Sequence, residues 1–278
     1  MITLFSTPKP FHGHIGVIQR NAIHSWTLLH PDAEIFLFGD DEGTAEVAKE
    51  LGVGHVPDVA RNEYGTPLVS DIFEKAQSLA SNDIVCYVNA DIILLKDFIR
   101  AVERVAGKRR FLMVGQRWNL DLNDPLDFDV DWEETIKALV SQKGKLFTKS
   151  GIDYFVFPRG LFMDIPRFAI GRPAWDNWMI YHARSSRYHV IDATQVVMPI
   201  HQNHNYSHVP QRKGNTYEGP EAERNRDLAG GSQHIFNLYD VNYLLTKRFL
   251  RPAFENQTLL FLMALKRKLM RTPKRLSL

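Results

Sequence analysis

The run Asp83–Leu95 constrains this chain more than any other. Ile84-Val85-Cys86-Tyr87-Val88 is unbroken apolar sequence, followed at once by Asn89-Ala90-Asp91 and a second apolar group, Ile92-Ile93-Leu94-Leu95. An apolar run of this length without alternation suits a central strand covered by helices on both faces. Asn89 and Asp91 then fall just outside the carboxyl end of that strand, where open α/β sheets place their ligands. An Asn-x-Asp pair offers oxygen ligands to a hard divalent cation, which can neutralise a bound diphosphate. The same residue types also make turns and helix caps.

The rest of the chain alternates strand and helix patterns around that run. Ile2–Phe5 reads as a first strand, and Ser6 to Gly13 as a turn-rich loop. Ile15, Ile18, Ala22, Trp26 and Leu29 recur at helical spacing, which assigns Trp26 to the core. A strand over Glu34–Phe38 ends at Asp40-Asp41, a helix spans Thr44 to Leu51, and a short strand Val53 to Val56. The amphipathic helix ending at Leu79 sets Asp71 and Lys75 four residues apart, the spacing of a surface pair. Further helices are expected over Lys96–Ala106 and 131–140, the latter fed by an acidic loop without the spacing of a calcium-binding EF-hand. Phe111–Gly115 and Gly151–Gly160 read as strands, with Gln116–Asn119 lining a cleft after the first of them. Pro173 opens a helix that packs Trp175, Trp178 and Met179, and His201 follows a late apolar strand. Strand–helix order of this kind predicts a doubly wound, mostly parallel sheet flanked by helices.

Four elements in this order, Asn89/Asp91, Asp153, Asp176 and His201, resemble the GT-A-type nucleotide-diphosphosugar glycosyltransferases, as a divergent bacterial member, over roughly residues 1–245. Asn89 stands where that pattern has its first Asp. The resemblance implies sugar transfer from a nucleotide-diphosphosugar to a hydroxyl acceptor, a saccharide or lipid-linked saccharide. It implies Asp91 and His201 as ligands of Mn²⁺ or Mg²⁺, with Asn89 against the sugar or ribose. Thr7, Lys9, Gln19, Arg20 and Asp40 become candidates for the nucleotide, and Arg224 and Arg226 for its phosphates. Asp153, Asn177, His204 and, beyond the last of these, His208 are candidates for acceptor or phosphate. Asp176 takes the place of the acceptor-activating base if the reaction inverts configuration. A retaining reaction, and an inactive nucleotide- or carbohydrate-binding protein on the same scaffold, remain the alternatives; a sugar-1-phosphate nucleotidyltransferase lacks its Gly-rich first loop here. For Asp153 and Asp176 the local reading is a cap.

Composition serves mainly to exclude. A lone cysteine, Cys86, inside the central strand rules out an internal disulfide. The net charge of +2 hides a basic end: from Lys247 onward there are nine Lys or Arg and one Glu, so that segment carries +8 and the remainder −6. Basic charge confined to a tail argues against nucleic acid as a partner. No signal-peptide pattern precedes the first strand and no apolar run is long enough to span a bilayer, so a cytoplasmic protein is expected. The division expected is a GT-A-like domain over 1–246 and a basic amphipathic extension over 247–278. In that extension Thr258–Met270 has the pattern of a short interfacial helix, peripheral at the inner face of an anionic membrane. Its apolar residues would equally cover the core or a homo-oligomer interface.

Overall fold

The computed structural model describes residues 1–204 and 217–254. His208 and the segment Thr258–Met270 lie outside the described residues. In chain order the elements are β1 (Ile2–Ser6), α1 (Gly13–Thr27), β2 (Glu34–Phe38), α2 (Thr44–Leu51), β3 (Gly54–Val56), α3 (Val69–Leu79), β4 (Ile84–Val88), β5 (Ile92–Ile93), α4 (Lys96–Val105), β6 (Phe111–Val114) and β7 (Trp118–Leu120). They continue with α5 (Trp132–Lys143), β8 (Lys145–Leu146), β9 (Tyr154–Pro158), α6 (Trp175–Ser185), β10 (His189–Asp192), β11 (Ile200–Gln202), α7 (Pro220–Ala229), β12 (Tyr243–Leu245) and β13 (Leu250–Pro252).

Nine strands form the main sheet in the order β13-β12-β10-β6-β9-β4-β1-β2-β3. β9 runs antiparallel to both β4 and β6, β13 runs antiparallel to β12, and the other pairings are parallel. This is the mostly parallel, doubly wound sheet that the alternating pattern predicts. Strand periodicity divides the core between the two faces. Ile84, Cys86 and Val88 of β4 pack with Trp26, Val47, Phe98 and Val102 of α1, α2 and α4. Val85 and Tyr87 point the other way, into Phe73, Trp175, Trp178 and Met179 of α3 and α6. Trp26 is fully buried, and its Nε1–H donates to Ile92 O at 2.8 Å. Asp71 and Lys75 pair at 3.1 Å, as their spacing predicts.

A second sheet, β5-β11-β7-β8, stands beyond the carboxyl end of β4 and packs on α5 through Ile93, Leu120, Ile136 and Ile200. Its strands are two or three residues long, too short for periodicity to betray them. His201 therefore lies inside β11 rather than after a strand. Pro173 lies ahead of α6, which opens at Trp175 after Ala174 turns the chain with φ 85°. Leu250–Pro252 of the basic extension pair with β12 and complete the sheet edge, and Ala253 is fully buried.

Candidate functional site

Two strand pairings assemble the site at the carboxyl end of β4. The β4–β9 register sets Val88 opposite Tyr154, and the ladder runs one residue further through Asn89 N–H to Asp153 O at 2.9 Å. Asn89 and Asp153 thus face each other across two strands. The β5–β11 register sets Ile92 opposite His201, which delivers that imidazole next to Asp91. Buried Gln202 pins β11 to α1: its Nε2 donates to Ile18 O at 2.7 Å, and its Oε1 accepts from Asn21 Nδ2 at 3.0 Å. Because β11 also pairs with β7, Arg117, one residue before β7, enters the same space.

Asp91 Oδ2 lies 3.1 Å from His204 Nε2 and 3.8 Å from His201 Nε2. One donor atom from each of these three residues falls within 4.8 Å of the others, the spacing of a metal-ligand set. Asp91 Oδ1 and His201 Nδ1 are buried without a hydrogen-bond partner, so the group carries unused ligand capacity. Carboxylate and imidazole suit a divalent transition ion, and the residues present fit such a metal. Burial works to raise the Asp91 carboxyl, but His201, His204 and Lys9 outweigh it and hold the group ionised, well below the usual range. Burial is the largest influence on His201 and favours its neutral form, with the Asp91 charge pulling the other way.

A second group adjoins the first. Arg117 Nη1 donates to both oxygens of Asp153, at 2.7 and 2.8 Å, and its guanidinium lies 4.3 Å from the centre of the Phe147 ring. Asn89 Nδ2 donates to Asp153 Oδ1 at 2.8 Å. Asp176 occupies the first turn of α6, with its Oδ1 buried and unpartnered. Burial first, and the neighbouring Asp153 charge, push its carboxyl up to about 6. Arg172 and Arg184 do not lock it, since Arg172 pairs with Glu221 and Arg184 faces Asp240, while the Arg117 charge works to lower it. The Tyr87 phenol is raised by burial and then by Asp91, Asp153 and Asp176 together, so one buried hydroxyl feels all three carboxylates.

The other sequence candidates are dispersed over several parts of the fold. Buried Gln19 grips the Lys9 backbone, accepting from its N–H at 2.7 Å and donating to its carbonyl at 2.8 Å, while the Lys9 charge acts on Asp91. Thr7 Oγ1 is buried without a partner near Gly39, at the ends of β1 and β2. Asp40 there is exposed and paired with Arg61, which also reaches Asp41 at 3.9 Å. Arg20 pairs with Glu50 on the exposed side of α1. Arg224 and Arg226 stand exposed on α7, the first paired with Glu63 and the second donating to Tyr217 O, so neither is gathered with Asp91. Asn177 Nδ2 donates to Phe236 O at 2.6 Å. Sequence reasoning placed Arg117 in a cleft-lining run without a role, because its partner Asp153 lies 36 residues away with no local motif to announce it. It assigned His204 to acceptor or phosphate, and the structure brings that imidazole into the same cluster as Asp91 and His201.

No family model matches the sequence, and no curated protein matches it. Among solved structures, the chain aligns with glucosyl-3-phosphoglycerate synthase from Mycobacterium tuberculosis in complex with Mn²⁺, UDP-glucose and phosphoglyceric acid. The TM-score is 0.50 at 14% identity, over 92% of this chain and 91% of that one. A second structure of that synthase gives 0.49 at 13% identity, over 83% and 81%. A mannosyltransferase from Pyrobaculum calidifontis in complex with GDP-Man and Mn²⁺ gives 0.47 at 14% identity, over 77% of this chain, which spans only 58% of the mannosyltransferase. The shared feature is the fold, and the fold of this chain is GT-A-like.

Proposed function

We propose that this chain is a metal-dependent glycosyltransferase, moving a sugar from a nucleotide-diphosphosugar to a hydroxyl of a saccharide or lipid-linked acceptor in glycan assembly. The observation that carries the reading is the Asp91–His201–His204 group at the carboxyl end of a GT-A-like sheet, with Arg117–Asp153 and Asp176 beside it. Asp91, His201 and His204 would hold a divalent ion, whose positive charge would stabilise a departing diphosphate. Lys9, its backbone fixed by Gln19, brings a second positive charge to the same place. Thr7 and the Asp40–Asp41–Arg61 cluster lie at the ends of β1 and β2, where the nucleoside is assigned.

The inverting course is preferred because Asp176 combines an unpartnered oxygen with a carboxyl raised to about 6. A base titrating near the working pH transfers protons most effectively. Asp176 takes the proton of the acceptor hydroxyl as that oxygen bonds to the anomeric carbon, and the nucleoside diphosphate leaves with the electrons of the broken bond. Incubation with Mn²⁺ and a panel of UDP- and GDP-sugars tests the reading, with slow donor hydrolysis or transfer expected. Nucleotide binding without turnover across the panel leaves a binding protein instead. A product that keeps the donor's anomeric configuration removes Asp176 from the role of base.

Association with an anionic membrane belongs to the same proposal. Among the described residues, no helix is long and apolar enough to cross a membrane. The tip of the β12–β13 hairpin, however, presents exposed Lys247, Arg248 and Phe249 at the sheet end that also holds the Asp91 group. Basic residues around an exposed aromatic suit an anionic interface. Sedimentation with anionic vesicles should distinguish the full chain from one ending at Phe254 in which Lys247→Ser, Arg248→Ser and Phe249→Ser also remove the hairpin tip. The cut belongs there because β13 and buried Ala253 are part of the sheet. Equal, salt-insensitive binding by both forms sinks the idea.

A further inference from the structure

A strip of basic residues runs along the β13 edge of the main sheet. Arg100, Arg104 and Lys108 follow one another at intervals of four along α4 and its exit, with Arg109 beside them. The opposite face of α4 buries Phe98, Ile99, Ala101, Val102 and Val105. The Arg104 guanidinium donates to Thr246 O at 2.7 Å, which joins this row to the β12–β13 hairpin. There Thr246 closes a tight turn on Phe249: its N–H donates to Phe249 O at 3.0 Å, and its Oγ1 accepts from Phe249 N–H at 3.1 Å. Lys247 and Arg248 are the two residues between, and both are exposed. With Arg251 they also line a groove of about 640 Å³ between the hairpin and Gln195.

Among the described residues, none of Arg100, Arg104, Lys108, Arg109, Lys247 and Arg248 is ion-paired, whereas Arg20, Arg61, Arg172 and Arg224 each hold a carboxylate. Residues 1–246 carry a net −6, so this edge gathers positive charge on an acidic body, and that charge is not confined to the end of the chain. Two phenylalanines flank β13, Phe249 at 57% and Phe254 at 65% exposure. The chain beyond Phe254 adds six more Lys or Arg and one Glu, starting from the same edge. We propose, resting on the membrane reading above, that this edge of the folded domain is itself a docking face for the phosphate headgroups of an anionic bilayer, with α4 as a second contact beside the hairpin tip. The unpaired cations supply the attraction and the exposed rings a shallow insertion. A helix face and a hairpin tip resting on one plane fix an orientation, which a tail by itself does not. β3, at the other edge of the nine strands, then stands roughly 40 Å from the bilayer at about 4.8 Å per strand. A lipid-linked acceptor thus approaches from the β13 side, while the ends of β1 and β2 face water.

The test is sedimentation of the full chain with phosphatidylcholine vesicles, with and without phosphatidylserine, at several salt concentrations. The comparison is the full chain carrying Arg100→Gln, Lys108→Gln and Arg109→Gln, which leaves Arg104 on Thr246 and keeps both the hairpin tip and the extension. Wild type should bind only the vesicles that contain phosphatidylserine, and less as salt rises. The triple variant should lose about 10²-fold in affinity, at about fivefold per charge near the surface, and depend less steeply on salt. Its thermal melt should match that of wild type, because the three charged groups hold no carboxylate. Wild-type affinity in the triple variant overturns the proposal and leaves docking to the hairpin tip and the extension. A wild-type chain that does not bind phosphatidylserine vesicles removes the membrane reading together with it. Tighter binding of a DNA duplex than of the vesicles, weakened by the same three substitutions, assigns the face to nucleic acid and also overturns the proposal.

Discussion

Glu34 at the amino end of the main sheet and a set of buried groups at its carboxyl end are provided with partners in opposite ways. At the amino end, Glu34 accepts from Thr3 Oγ1 at 2.5 Å, from Ser81 N–H and Oγ at 3.0 and 2.6 Å, and from Asn82 Nδ2 at 3.2 Å. At the carboxyl end, Ser6 Oγ, Thr7 Oγ1, Asp91 Oδ1, Asp176 Oδ1 and His201 Nδ1 are all buried without a partner. Burial opposes ionisation at both ends, but hydrogen bonds outweigh it at Glu34 and hold that carboxyl low, whereas Asp176 is left raised to about 6. A buried group without a partner costs about 1–3 kcal/mol. One end of the sheet is built for stability, while the other carries a standing deficit that a ligand, a metal or a proton in transit would relieve. Substitutions should accordingly separate activity from stability by the end of the sheet they touch.

The largest effect is expected at Asp91. Asp91→Ala removes the one carboxylate of the metal group and should reduce Mn²⁺ affinity and metal-dependent transfer by more than about 10²-fold, beyond what outer-shell changes cause. The chain should stay folded by circular dichroism, since Asp91 is not part of either apolar cluster around the main sheet. Full metal affinity in the folded variant would erase the contrast between the two ends at its strongest point.

Asp176→Asn should lower kcat by roughly 10²-fold or more, the usual range for a general base, with donor binding little changed. The wild-type rate should fall as pH drops through about 6, where the carboxyl takes up its proton. Stability should move the other way. A carboxyl raised from its ordinary 3.8 to about 6 binds more protons folded than unfolded between those values, so it weakens the fold as pH rises through them. Asn carries no charge to bury and should stabilise the chain by roughly 1–3 kcal/mol at neutral pH. That gain should shrink below pH 6 and vanish below about 4, as chemical denaturation at several pH values will show. A variant that is both less active and less stable at neutral pH would mean that Asp176 belongs with the satisfied carboxylates.

How far the site can be read from the chain depends on how local each contact is. Ile84–Val88 and Thr44–Leu51 announce themselves because burial imposes a pattern on every residue of the element. Asp91 is legible because it follows such a run immediately. Hydrophobicity does not encode strand direction, so the antiparallel β9 that sets Asp153 against Asn89 leaves no trace in the pattern. The small sheet is harder still: two or three residues per strand carry no period, yet β5 and β11 are what bring His201 to Asp91 across 110 residues of chain. Arg117 and His204 are defined by partners distant in sequence, and only the fold identifies those partners.

Glu34→Ala probes the satisfied end. It leaves Thr3, which is fully buried, without its acceptor and should cost about 1–3 kcal/mol, with kcat within about twofold of wild type. Because the folded carboxyl is held below its ordinary 4.5, its contribution is present above that pH and lost as pH falls through the lowered folded value. Wild type and variant should therefore converge in acid, as thermal melts across that range will show. A loss of activity without a loss of stability would overturn the division between the ends.

The smallest effect is expected on the flank of the sheet, where a charge pair belongs to neither end. Lys75 on α3 lies 3.1 Å from Asp71 and 3.4 Å from Asp58, and also donates to Asp58 O at 2.7 Å. Asp71 does not depend on it, because the same carboxylate accepts from Ala60 N–H at 2.8 Å. Removing the ammonium leaves that bond intact and exposes no new apolar surface if Met replaces Lys. Lys75→Met should therefore shift stability by less than about 1 kcal/mol, the usual limit for an ion pair in contact with water. The Coulomb part of that difference should diminish at high salt, leaving the loss of the hydrogen bond to Asp58 O. Donor binding should not change. A larger loss that salt does not reduce would make α3 part of the nucleotide pocket, and the contrast drawn between the ends of the sheet would have to extend along its side.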